Sequence, residues 1–213
     1  MLNFIVNMLQ SSEQDYHVGL FSMEMNAKQI MNRVIANLTS IDSKRLDCNS
    51  LAEDEWARVW RAREYLDQKY FFIDATGGLT ITNLRSRARR LQMKQGLDIL
   101  FIDYLQLMSS TSRNSERHQA IAEISRELKA MARELNIPVV ALSQLSRAVE
   151  GRQVKRPMMS DLRESGAMEQ DADIIMFLYR DDYYNNMSAE PGVTELIVAK
   201  HRNGAVGNFK YFF

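Results

Sequence analysis

An α/β fold with a largely parallel sheet, flanked by helices and finished by an antiparallel C-terminal edge, is what this sequence predicts. Two patterns carry that expectation. Apolar runs of strand length at His17 to Phe21, Tyr70 to Ile73, Ile99 to Ile102 and Ile137 to Leu142 alternate with helical patterns, the order that builds crossover-connected parallel strands. Beyond residue 173 strands predominate: Ile174 to Leu178, then Leu196 to Ala199 and Phe209 to Phe212, a hairpin around Asn203-Gly204. At 213 residues the chain can bury a real core, and one domain over 1–213 is expected.

Leu2, Ile5, Met8 and Leu9 share one face of a first helix, which Ser11 to Asp15 ends. Asn26 is placed to cap a second helix with the stripe Ile30, Met31, Val34, Ile35 and Leu38. A third runs from about Ala52 to Gln68. The aromatic strand from Tyr70 closes on Asp74 and the turn Thr76-Gly77-Gly78, and Thr80 or Thr82 then caps a basic helix carrying Arg85, Arg87, Arg89, Arg90 and Lys94. Ser109 to Ser115 reads as a polar loop. Ile121, Ile124, Leu128, Met131 and Leu135 recur at spacings of three and four, the mark of a long amphipathic helix. Pro138 stands near the start of the next strand, where its missing N–H is tolerated. Ser146 to Asp173 is polar and reads as mostly irregular.

With 27 basic and 27 acidic residues the formal charge is zero, so any nucleic-acid surface must be a local patch. The single Cys48 rules out an intramolecular disulfide framework and suits a reducing, cytoplasmic setting. No apolar run reaches the roughly 18 residues of a membrane span. Met1 to Leu9 lacks a basic n-region and a small-residue cleavage site, so it reads as the middle of a buried helix rather than a signal peptide. Three histidines and one cysteine make a zinc site a poor expectation.

Chemistry gathers where strands end. Glu24, Asp74, Asp103 and Gln144 each follow a strand closely, so a parallel sheet would collect them on its carboxyl edge, where α/β proteins bind ligands. An acid such as Asp103 can hold a Mg²⁺-bound water beside a nucleoside triphosphate, and Glu24 can orient and deprotonate an attacking water. Gln144 can hydrogen-bond a terminal phosphate. The plainer account of each is a turn or helix cap. Lys200 and Arg202, at i and i+2 after an apolar strand, point the same way, either into solvent or toward a neighbouring subunit's nucleotide. Ser160 to Asp173 is either a solvated capping loop or a grip on nucleic-acid phosphate through Arg163 and the amides around Gly166. No G-x-x-x-x-G-K-[ST] phosphate loop occurs anywhere in the chain.

Together, several segments resemble the motor domain of the bacterial and phage replicative DNA helicases of the DnaB type. They are Leu20-Phe21-Ser22-Met23-Glu24-Met25, Arg85 to Leu91, Phe101-Ile102-Asp103-Tyr104-Leu105-Gln106-Leu107-Met108, Val139 to Arg147, Ser160 to Asp173, and Lys200-His201-Arg202-Asn203-Gly204. They lie in order over nearly the whole chain, and the last two are the specific ones. The resemblance implies a RecA-like P-loop NTPase core. It implies Glu24 as catalytic base, Asp103 as the Walker B acid for Mg²⁺, Gln144 as γ-phosphate sensor, and Lys200 and Arg202 reaching an adjacent subunit's ATP. Arg163, Glu164 and Gly166 would face single-stranded DNA in the channel of a homo-hexameric ring translocating 5′ to 3′, with a helicase loader and primase as partners and no membrane.

The family's Walker A loop should stand just before the helix containing Asn3 and Phe4, so a domain cut just after that loop is expected. Without the loop's amides and lysine, nucleotide affinity should largely go and the fragment should be inactive by itself. Two other readings stand beside this one: a non-catalytic relative that binds a helicase or its loader, and another RecA-like ATPase such as a recombinase. The intact Glu24, Asp103, Gln144 and Arg202 argue against the first, and Ser160 to Asp173 against the second.

Overall fold

The computed structural model describes residues 1–109 and 117–212, with the backbone alone at 117, 118 and 163–165. In chain order the elements are α1 (Leu2–Leu9), β1 (Val18–Ser22), α2 (Ala27–Thr39), α3 (Ser43–Asp47), α4 (Glu53–Asp67), β2 (Phe71–Asp74), α5 (Ile81–Gln95) and β3 (Ile99–Asp103). They continue as α6 (Arg117–Leu135), β4 (Val139–Ala141), α7 (Gly166–Asp171), β5 (Ile174–Tyr179), α8 (Asp181–Tyr184), β6 (Val193–His201) and β7 (Gly207–Phe212). The described residues fall into two compact units, one within Met1–Thr111 and Ala130–Ser143, the other within Ser112–Lys129 and Gln144–Phe213.

The first unit is built on a four-stranded parallel sheet in the order β2-β1-β3-β4. Its strands are short apolar runs, as expected of parallel strands covered on both faces. β1 lies between β2 and β3 and is buried along its whole length. α1, α2 and Leu66 of α4 pack on it through Ile5, Val6, Leu9, Ile30 and Val34, against Val18, Leu20, Ile99 and Phe101. Fully burying each such side chain contributes about 1.5–3 kcal/mol. Local chemistry agrees with the packing. Asn26 Oδ1 accepts from the Gln29 N–H at 2.9 Å while Gln29 Oε1 accepts from the Asn26 N–H at 3.1 Å, a reciprocal cap that starts α2. Thr80, not Thr82, caps α5. Gly96 ends it at φ +82°, pressed so close to the His17 imidazole that a Cβ would lie 3.0 Å from Nδ1.

α5's basic residues are largely spent inside this unit. Arg85 and Arg89 both pair with Glu134, and Arg87 reaches Asp74 at 2.6 Å and Thr76 at 2.8 Å. Burial works to raise the Asp74 carboxyl, but the hydrogen bonds from Thr76 and Arg87 outweigh it and hold it below its usual value.

The second unit contains a three-stranded antiparallel sheet, β5-β6-β7. The expected antiparallel C-terminal strands are therefore present, hydrogen-bonded to one another as a sheet of their own. Ser146 to Asp173 is more ordered than its polarity suggests. Short 3₁₀ segments at Arg147–Val149 and Met159–Ser165 precede α7. Ser146 Oγ caps the first, and the buried Asp161 carboxylate accepts from the Met158 N–H at 2.8 Å and from Arg152 at 2.7 Å. Segments this short show no hydrophobic period, which is why the sequence pattern passes over them. Arg156 pairs with the buried Glu195 of β6 and tethers the same stretch to the sheet.

Candidate active site

In the first unit the carboxyl ends of β2, β1 and β3 line up: Phe21 is in register with Asp74, and Ser22 with Asp103. Beyond the ladder, the Met23 N–H donates to the Asp103 C=O at 2.8 Å, which stitches the exits of β1 and β3 together. The fully buried Ser22 hydroxyl accepts from the Met25 N–H at 3.1 Å and turns the chain over that edge. Glu24, held between these two bonds, is thereby presented beside Asp103. Burial raises the Asp103 carboxyl above its usual value, and the Glu24 charge raises it further. The Met1 ammonium and Arg33 oppose that shift. Asp74, on the same edge, is taken up by Arg87 and Thr76.

In the second unit Gln144 lines a cavity of about 670 Å³, with Arg147, Tyr179, Arg180, Tyr183 and Tyr184 among its walls. Arg180 is held by Asp182 at 2.9 Å, and Lys155 lies 5.0 Å from the centre of the Tyr184 ring. Aromatic faces and cations around one concavity suit a flat, anionic ligand. Sequence reasoning missed these tyrosines, although Tyr179-Arg180-Asp181-Asp182-Tyr183-Tyr184 directly after a strand is a visible signal.

Lys200 and Arg202 do point the same way. Lys200 Nζ donates to the Glu169 carbonyl at 2.5 Å, Arg202 donates to the Gln170 carbonyl at 3.1 Å, and Arg202 pairs with Asp173 at 3.2 Å. His201 packs against the turn, where a Cβ at Gly204 would collide with its ring. Arg163 and Glu164 lie on the 3₁₀ segment Met159–Ser165, with their side chains outside the described residues, and Gly166 opens α7 exposed. Thus Glu24 and Asp103 meet in one unit, while Gln144, Gly166, Lys200 and Arg202 all belong to the other.

The whole chain, residues 1–213, matches the model of the DnaB-like helicase C terminal domain. It belongs to the DnaB-like helicase family. Among its relatives, the replicative DNA helicase DnaC of Bacillus subtilis (strain 168) is 46% identical over 213 residues, covering 99% of this chain and 47% of that protein. The replicative DNA helicase DnaB of Geobacillus stearothermophilus gives the same identity and coverage. This chain therefore spans about half the length of the curated relatives it matches. A solved helicase ATPase domain superposes with a TM-score of 0.93 at 42% identity, covering all of this chain and 76% of that one. A DnaB-like replicative helicase, solved in a study of its interactions with primase, gives 0.91 at 42%, covering 99% of this chain and 53% of that one. The parallel sheet with its flanking helices is thus a RecA-like helicase core, as the sequence leads one to expect.

For a DnaB-like helicase the Asp103 edge has the right donors for Mg²⁺. The cation prefers carboxylate oxygen, keeps several waters and shares its remaining positions with substrate phosphates. Among the described residues no three His, Cys, Asp or Glu side chains converge into an all-protein cage. One carboxylate at the edge with a second beside it is the arrangement such a shared site needs. Among the described residues no helix is long and apolar enough to cross a membrane.

Proposed function

We propose that this chain is the ATP-driven motor of a replicative DNA helicase, a single RecA-like domain working within a homo-hexameric ring that translocates 5′ to 3′ on single-stranded DNA. The observation that carries the reading is the Met23–Asp103 stitch, which brings a general base and a metal-binding acid out of one sheet edge side by side. Glu24 takes a proton from the attacking water, and Asp103 holds Mg²⁺ through its carboxylate. Bound Mg²⁺ neutralises charge on the β- and γ-phosphates. Gln144 hydrogen-bonds the γ-phosphate, and the tyrosine-lined cavity beside it receives the base. Lys200 and Arg202 serve the nucleotide of the adjacent subunit, the heterologous arrangement that closes a ring. Arg163, Glu164 and Gly166 track DNA phosphate without reading bases.

This sequence contains no G-x-x-x-x-G-K-[ST] cradle, so the 213 residues alone bind ATP weakly and turn it over little. Loader and primase engage the longer helicase in which this motor works, in the cytoplasm. The test is steady-state ATPase of the full-length helicase with Glu24→Gln and Asp103→Asn. Glu24→Gln should bind ATP with near-normal affinity and lose hydrolysis, by about 10²–10⁴-fold for a lost general base. Asp103→Asn should lose Mg²⁺-dependent nucleotide affinity. Full hydrolysis in both would overturn the assignment, as would ATPase by the isolated chain at the full-length rate.

A further inference from the structure

Lys200 and Arg202 are engaged on their own chain. α7 is a six-residue helix, and its last carbonyls have no partner within it apart from Met168, which accepts from the Ala172 N–H at 3.0 Å. The carbonyls of Glu169 and Gln170 accept instead from the two cations, at 2.5 and 3.4 Å from Lys200 and 3.1 Å from Arg202. Positive charge at the negative end of a helix is favourable, so the pair acts as the C-terminal cap of α7. Asp173, two residues beyond the helix, completes the grip. Its carboxylate pairs with Arg202 and with Lys129, and its carbonyl accepts from the Arg202 N–H at 2.8 Å, prolonging the β5–β6 ladder.

The other end of the same segment is fastened differently. The Asp161 carbonyl accepts from the Ser146 N–H at 3.1 Å, two residues after Gln144, and its buried carboxylate is held by Arg152. Residues 161–173 therefore hang between a fixed anchor and a cap made of two cations.

We propose that Asp173 and the C-terminal carbonyls of α7 form a latch that withholds Lys200 and Arg202 from the neighbouring subunit's nucleotide, so that engaging the nucleotide uncaps α7 and frees the segment carrying Arg163 and Gly166. The inference rests on reading Lys200 and Arg202 as cations that act on an adjacent nucleotide. The side chains cannot serve both sets of oxygens at once: an ammonium or guanidinium turned onto a phosphate leaves the Glu169 and Gln170 carbonyls to water. A six-residue helix has little propagation energy with which to tolerate that loss. Asp173 is a positioning residue: it touches no phosphate and sets how readily Arg202 leaves. Lys129 competes with Arg202 for the same carboxylate, so the two bias the latch in opposite directions.

The experiment is ATPase of the full-length helicase with and without single-stranded DNA. Asp173→Asn weakens the latch and should raise the DNA-free rate about 2- to 5-fold, the size expected of a half-exposed ion pair, and reduce stimulation by DNA by a similar factor. Asp173→Glu should restore both. Lys129→Met leaves Asp173 to Arg202 alone and should lower the DNA-free rate while preserving the DNA-stimulated one. Opposite shifts in the two variants support the latch. Equal losses in both, or no change in either, overturn it, and the Lys129 variant decides alone if Asp173→Asn does not fold. Arg202→Ala separates the premises. If it retains hydrolysis, the reading of Arg202 as a cation for the neighbour's nucleotide fails, and the latch with it. If it abolishes hydrolysis while Asp173 and Lys129 variants behave as wild type, only the latch fails.

Discussion

Replacing Asp103 by Asn should make the 213-residue chain more stable while removing its use to a nucleotide. Two forces push against the Asp103 charge, burial at the end of β3 and the Glu24 carboxylate, and two support it, the Met1 ammonium and Arg33. The net shift is upward, so the folded chain holds the Asp103 proton more tightly than the unfolded one does. Between the unfolded and folded pKa values the native state binds more protons, and stability falls as pH rises through that window. Above it the ionised carboxylate is a standing cost, which Asp103→Asn removes with almost no change in shape. Because the site is partly open to solvent, the gain is at most about 1 kcal/mol, the scale of a partly screened charge pair. For a chain of this size that is roughly 2–4 °C in Tm. Urea denaturation at pH 7.5 and at pH 3 measures it: the variant should lead at pH 7.5, and the two proteins should converge at pH 3. A variant less stable than wild type at pH 7.5, or an equal gap at both pH values, would refute the reasoning.

Phe101→Ala opens a hole in the centre of β3 against α1 and α2 and should cost about 3–5 kcal/mol in urea unfolding, with far-UV CD of the folded state retained. The Asp182 carboxyl is lowered to about 2, held there by the Arg180 guanidinium and the Gly192 N–H. Its contribution is therefore complete above the ordinary aspartate range and lost as pH falls toward that value, and Asp182→Asn should remove that part of the acid dependence of unfolding. Arg163→Ala in the full-length helicase should weaken single-stranded DNA binding with no base preference and flatten the salt dependence by a slope of roughly 0.7; unchanged affinity at every salt concentration would take that segment out of the DNA path.

The parts legible in the sequence are those written in local pattern. The stripe Ile121, Ile124, Leu128, Met131 and Leu135 is buried as its spacing requires, and Asn26 caps α2 together with Gln29 three residues on. Asp103 announces itself because an acid ending an apolar strand has few structural excuses. What stayed hidden depends on partners distant in sequence. Asp74 resembles Asp103 in every local respect, yet Arg87 on α5 claims it. The direction of Lys200 and Arg202 follows from their i, i+2 spacing, but their carbonyl partners lie 30 residues away and leave no mark in the pattern. α3 is too short for periodicity and is held by Asp42, whose carboxylate accepts from the Lys44 N–H. The pairing of β5, β6 and β7 as a separate sheet is likewise a matter of which strands meet, which alternation of elements does not specify.

α5 has the composition of a nucleic-acid helix and the wiring of a fastener. Three of its arginines draw the exit of β2 and the end of α6 onto one helix. A phosphate backbone approaching that surface would have to compete with carboxylates already in place, and would release few counterions by doing so. Ionic strength should therefore act on this helix chiefly by loosening half-exposed ion pairs within the fold, so the salt response of DNA binding and the salt response of folding report on different arginines.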